Sequence, residues 1–166
     1  MSHTTTQTHA PAINEKLVVP FMNAVRQVFK KMAGVETTVG HPHLKSHSTA
    51  TYQVCGIIGF SGQINGSVVV SFSDAAAEKL VEAFVGATVD RQSPDFADAV
   101  GELANMIAGS AKQHLGGVAS ISVPTVVIGR GYTIANMSNA PCLVIPCGSP
   151  FGEFAVEVSI KQNPVP

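Results

Sequence analysis

The sequence predicts an α+β domain with internal pseudo-duplication, an antiparallel β-sheet with long helices packed on one face. Three observations carry this. Apolar periodicity changes along the chain in the order helix, strands, helix, helix, strands. The halves share a rhythm, so that Ile57-Ile58-Gly59-Phe60-Ser61-Gly62 with Ser67 to Val70 parallels Leu143-Val144-Ile145-Pro146-Cys147-Gly148 with Phe154 to Glu157 in pattern, though not in identity. Finally, 166 residues at 45% hydrophobic and 13% charged suit one sheet-rich globular domain, since an ordinary chain is about 25% charged.

Taken in order, residues 1–12 are Thr, Gln, His and Pro with little apolar content and are expected to form a disordered tail. One domain should then occupy 13–162, with 163–166 frayed. The first helix is expected over Asn14 to Ala33, with Phe21, Val25, Val28, Phe29 and Met32 on one face and Gly34 as its stop. Pro20 predicts that regular helix begins there, after a looser Leu17 to Val19. Ala50 to Phe60 and Gly66 to Ser73 read as strands, with Gly62 and the Asn65-Gly66 pair between them as the turn. Ser73 or Asp74 caps a helix to Val85, ended by Gly86. Ser93-Pro94-Asp95 opens the longest helix, Asp95 to Leu115, closed by Gly116-Gly117. Strands follow at Ile121–Val123, Val126–Ile128, Tyr132–Met137, Pro141–Pro146 and Glu153–Lys161.

Composition excludes several classes of function. A formal net charge of -1 supplies no basic field for nucleic acid or an anionic membrane. No apolar run approaches the roughly 18 residues of a membrane span, and the polar N-terminus has no signal-peptide core. Cys55, Cys142 and Cys147 are odd in number and form no C-x-x-C pair, as expected of reduced, buried thiols in the cytoplasm. The tract His41-Pro42-His43 with His47 has no acidic or thiol partner at zinc spacing and reads as a solvated loop. Gly129-Arg130-Gly131 reads as a turn, and Gly59-x-x-Gly62 lacks the Lys-Ser/Thr of a phosphate loop.

The longest helix carries the functional argument. At 100° per residue, Phe96, Val100, Leu103, Ile107 and Ala111 fall within roughly 80° and form the core stripe. Asp98, Glu102, Asn105 and Gly109 fall within roughly 60° on the opposite side. Polar residues opposite a core stripe are ordinary on a surface helix. Asn, however, is a mediocre mid-helix residue, and Gly109 costs about 1 kcal/mol relative to Ala. Gly101 is a second such position, suited either to close approach of a partner or to helix–sheet contact.

The segment from Asp98 to Gly109, with Glu102 and Asn105 three apart, resembles the D/S-x-x-x-E-x-x-N signature of the CheC/CheX/FliY chemotaxis phosphatases. Ile57 to Ser73 resembles the family's central hairpin, and Ser122-Val123-Pro124-Thr125-Val126-Val127-Ile128-Gly129 its P-T-V-V-x-G strand. The likeness runs over about 14–161 and is greatest to CheX, because the first helix carries no second E-x-x-N. The resemblance implies a phosphatase acting on the aspartyl-phosphate of a CheY-like response-regulator receiver domain. It implies that Asn105 orients the attacking water and Glu102 pairs with the receiver's lysine. Asp98, Gly101 and Gly109 are expected at the partner contact. No cofactor is expected on this chain, Mg²⁺ being expected on the receiver. A homodimer paired through sheet edges is implied, and the strands within Cys142–Ser159 are one candidate edge. The alternatives are a receiver-binding adaptor that hydrolyses nothing, or a structural dimerisation domain, which leaves the Asp98–Gly109 strip unexplained.

Overall fold

The computed structural model describes residues 14–116, 118–135 and 138–164. The expected tail over 1–12 lies outside these residues, as do Gly117, the 136–137 end of the Tyr132–Met137 strand, and residues 165–166. Helix α1 spans Glu15–Ala33, α2 Asp74–Val85 and α3 Pro94–Lys112. The strands are β1 Thr38–Val39, β2 His43–Leu44, β3 Val54–Gly62, β4 Ile64–Phe72, β5 Ala119–Ile121, β6 Thr125–Ile128, β7 Leu143–Ser149 and β8 Gly152–Gln162.

All eight strands form one antiparallel sheet, ordered β1-β7-β8-β4-β3-β5, with β2 also on β7 and β6 also on β3. The expected duplication appears in this order as an exchange. Hairpins β3–β4 and β7–β8 lie side by side through β4 and β8. The short strands following α1 pair with β7 of the second half, and those following α3 pair with β3 of the first. Thus β7 and β8 are interior strands, and Cys142–Ser159 supplies no sheet edge. Of the expected strand at Tyr132, the described part retains a single bridge, Thr49 to Thr133.

Alternation along the strands separates the two faces. Val54, Ile58, Val68, Val70, Ile145, Val156 and Val158 point toward the helices and join Phe21, Phe29, Leu80, Phe96, Leu103 and Ile107 in one core. The rings of Phe29 and Phe154 stack at 4.5 Å between centroids, and Phe72 packs on Phe154.

Local expectations differ at several points, among them the end of α3, which closes at Lys112 with Gln113 as its C-cap and does not run to Leu115. Regular helix α1 runs straight through Pro20. The Asn14 side chain caps the Lys16 N–H at 3.2 Å, and Val18, Pro20 and Phe21 are buried. A proline so near the start forfeits only the bond to the Lys16 carbonyl, and packing offsets that loss. The β3–β4 turn lies at Gly62-Gln63, not at Asn65-Gly66. Gly66 is inside β4, opposite Phe60 and Ile160. Its φ of 133° and its approach to β8, where a Cβ would stand 2.0 Å from the Ser159 carbonyl oxygen, require glycine. At the other end, Asn163 is bonded to the hairpin, its N–H donating to the Gln63 carbonyl at 2.8 Å.

Candidate functional site

Helix α3 is placed by its caps and its seat. Ser93 accepts the Phe96 N–H, and Pro94 opens the first turn. The stripe Phe96, Val100, Leu103, Ile107 and Ala111 is fully buried, as expected. The helix lies along β3, where Gly56 meets Ala104. This seat turns Asp98 and Glu102 to solvent and leaves Asn105 and Gly109 half-buried. The side chains of Asp98, Glu102 and Asn105 make no hydrogen bond or ion pair with any described residue. An acceptor-only carboxylate and a donor–acceptor amide therefore stand one helical turn apart, free for an outside partner.

Gly101 departs from the expected strip. It is buried, and a Cβ there would lie 3.1–3.3 Å from Pro124 and Val126. At about 70° from the centre of the polar strip, it faces the flank where the β5–β6 segment crosses α3. Of the two uses weighed for it, helix–sheet contact is the one the structure contains. The segment it touches is held by Ser122, whose Oγ accepts the Gly59 N–H at 2.9 Å. Gly109 is roomier, since a Cβ would meet only Ile121 Cδ1, at 4.0 Å.

On the opposite flank of α3, a cleft of about 400 Å³ separates it from α1. Asn105, Met106 and Gly109 line one wall, and Gln27, Val28 and Lys31 the other. Sequence reasoning missed the α1 wall. Its one signal was the Lys30-Lys31 pair in the last turn of an otherwise amphipathic helix.

The far face of the sheet holds a second polar cluster that was also missed. Lys45 Nζ lies 2.6 Å from Glu157 Oε2, and the Thr51 hydroxyl donates to Glu157 Oε1 at 2.5 Å. Both charged side chains are more than nine-tenths buried. The pair borders a cavity of about 310 Å³ that also includes Ser67, Val69, Cys142 and Ser159. The histidine tract next to it is largely exposed, but His43-Leu44 is paired to β7.

None of the thiols is an activated nucleophile. Burial pushes Cys142 up to about 11 and Cys147 up to about 12, and raises Cys55 as well. Among the described residues no group of three or more His, Cys, Asp or Glu side chains could hold a metal ion.

The fold and the chain as a whole can be compared with known proteins. A family model described as chemotaxis phosphatase CheX matches residues 54–148, which contain α3 and both hairpin starts. The chain belongs to the CheX family. It is 34% identical over 157 residues to the CheY-P phosphatase CheX of Thermotoga maritima, covering 91% of this chain and 99% of that protein. The crystal structure of the chemotaxis protein CheX from Desulfovibrio desulfuricans superposes with a TM-score of 0.80 at 32% identity, over 89% of this chain and 99% of the other. A CheX–CheY–BeF3–Mg²⁺ complex from Borrelia burgdorferi matches with a TM-score of 0.72 at 26% identity, over 88% and 98%. The CheX fold, an α+β fold with an antiparallel sheet, thus extends over nearly all of this chain. No described helix is long and apolar enough to cross a membrane.

Proposed function

We propose that this chain hydrolyses the aspartyl-phosphate of a CheY-like receiver domain in the cytoplasm, with Asn105 and Glu102 as its working residues. The observation that carries the reading is the Glu102–Asn105 pair, outward on α3 and without internal partners. Its relatives include a protein named as a CheY-P phosphatase and one crystallised with CheY.

The chemistry asks little of this chain. An aspartyl-phosphate is a mixed anhydride and already labile. Its hydrolysis needs a water held in line with the leaving carboxylate, and neutralised charge on the phosphoryl oxygens. The receiver brings the phosphorylated aspartate, its lysine and Mg²⁺. Asn105 brings an amide whose oxygen accepts from the water while the side chain stays neutral beside the phosphoryl group. Glu102, one turn away, pairs with the receiver's lysine and fixes the register of docking. Asp98 lies at the edge of the contact, and Gly109 allows close approach. No metal and no covalent intermediate belong to this chain in the scheme.

The test follows phosphate loss from a phosphorylated receiver with and without the protein. Wild type should accelerate decay and Asn105→Ala should abolish that acceleration without a change in thermal stability. Glu102→Ala should chiefly weaken receiver binding. Full activity in Asn105→Ala overturns the assignment. Tight receiver binding with no acceleration by wild type would make the chain a sequestering adaptor.

We also propose a homodimer through the β5–β6 edge. Val123, between β5 and β6, is 84% exposed, Val118, just before β5, 77%, and Ile128, at the end of β6, 40%, so apolar side chains flank strands whose outer edge pairs with no described strand. Light scattering should give a dimer for wild type and a monomer for Val123→Asp. A monomeric wild type overturns this.

A further inference from the structure

On the reading of the site just given, we propose that Lys31 of α1 is a docking residue for the anionic phosphoryl mouth of the receiver, acting from across the cleft that holds Asn105. The outward face of α3 presents Asp95, Asp98 and Glu102, with no cation before Lys112. A phosphoryl group arriving at Asn105 therefore approaches an acidic strip on which Glu102 pairs with the receiver's lysine, Asp98 stays unpaired, and this chain supplies no cation. Like charges repel more strongly near a protein surface than in bulk water. The amide is neutral and offsets none of this.

The cation is supplied by the other wall. Lys31 lines the same cleft as Asn105, Met106 and Gly109. It is exposed and pairs with no described carboxylate. Its neighbour Lys30 is engaged elsewhere, at 2.9 Å from Glu36. The cleft is also shaped for entry. Val28 and Met106 give it an apolar floor, Gly109 leaves its α3 wall low, and Gln27 spans its end to the Ser110 hydroxyl at 3.4 Å. A groove with the Asn105 amide on one wall and the unpaired Lys31 ammonium on the other fits the dianionic phosphoryl group of the receiver.

Lys31 also stands at the C-terminal end of α1, where a cation is favoured by the helix dipole. Lys30 shares that position and the same charge, so it is the control. The experiment measures steady-state dephosphorylation of a CheY-type receiver charged with a small-molecule phosphodonor, at several salt concentrations. The variants are Lys31→Ala, Lys31→Arg and Lys30→Ala. Lys31→Ala should raise KM about three- to tenfold with kcat within about twofold, and should flatten the salt dependence of kcat/KM, as loss of a rim charge does. Lys31→Arg should restore both, and Lys30→Ala should match wild type. An unchanged KM in Lys31→Ala, or an equal rise in Lys30→Ala, overturns the role of Lys31 while leaving the function intact. Wild-type protein that does not accelerate decay at all overturns both readings. A shared loss of thermal stability in the two alanine variants, with no change in salt dependence, assigns Lys31 to the helix end alone and overturns the docking role.

Discussion

Gly56 of β3 and Ala104 of α3 meet so closely that a Cβ on Gly56 would stand 2.6 Å from the Ala104 Cβ. Neither atom belongs to a flexible side chain, and Ala104 is the residue before Asn105. The height of the amide above the sheet is therefore set by an absent methyl group. Gly56→Ala should destabilise the fold by about 1–3 kcal/mol, as overpacking of a rigid core does. It should also reduce phosphatase activity more than its stability loss explains at temperatures where it remains folded. Urea denaturation beside a decay assay checks both, and wild-type behaviour in each would show that α3 floats.

Asn105→Asp is nearly isosteric and sits on a half-buried position. Its folding stability should stay within about 0.5 kcal/mol of wild type, as for surface substitutions generally. Its activity should fall as far as that of Asn105→Ala, because a carboxylate there repels the phosphoryl group that the amide tolerates. Retained activity in the aspartate variant would mean that the side chain acts as a base instead of aligning water.

Lys45 and Glu157 form a buried ion pair remote from α3. Removing one partner strands the other, so Lys45→Met or Glu157→Gln should cost about 3–5 kcal/mol. The double variant Lys45→Met/Glu157→Leu should recover much of this, since a buried pair often gains little over apolar packing. The double-mutant cycle is read from urea midpoints, and additive losses would refute the coupling.

Asp74 at the start of α2 is bonded to Arg91, and Arg130 Nη2 lies 2.9 Å from its other oxygen. The bond from Arg91 is the main cause holding its carboxyl below the ordinary value of 3.8. The unfolded chain thus takes up this proton first as pH falls. The contribution is complete above the ordinary carboxylate range and is lost as pH drops through it toward the folded value. Asp74→Asn should be less stable than wild type at pH 7, with the gap narrowing below about pH 4. Parallel stability curves from pH 7 to pH 3 would exclude the linkage.

The long helix was legible because its signals agreed. Ser93-Pro94 capped it, the apolar stripe had one period, and Asp98, Glu102 and Asn105 lay opposite. Gly101 was ambiguous, since a flank position serves solvent or sheet according to what crosses it, and the β5–β6 segment crosses by long-range pairing. Asn65-Gly66 is a strong local turn signal, but the approach of β8 to Gly66 is a tertiary fact that overrides it. Pro20 misled in the same way, because burial of Val18 and Phe21 decides the first turn. Lys45 was hidden in a histidine-rich polar tract, and its partner Glu157 lies 112 positions away. The α1 wall of the cleft could not be read without knowing that Lys31 and Asn105 face one another across two packed helices.

The exchange of short strands between the halves makes the chain indivisible. A fragment ending after α2 would keep its hairpin but lose the β5–β6 strands that close its flank. The complementary fragment would lose β1 and β2 in the same way. Each piece would expose a raw strand border, so neither repeat is a spare copy of the other. Severing the linker between α2 and α3 would yield two sticky remnants that regain order only in each other's company.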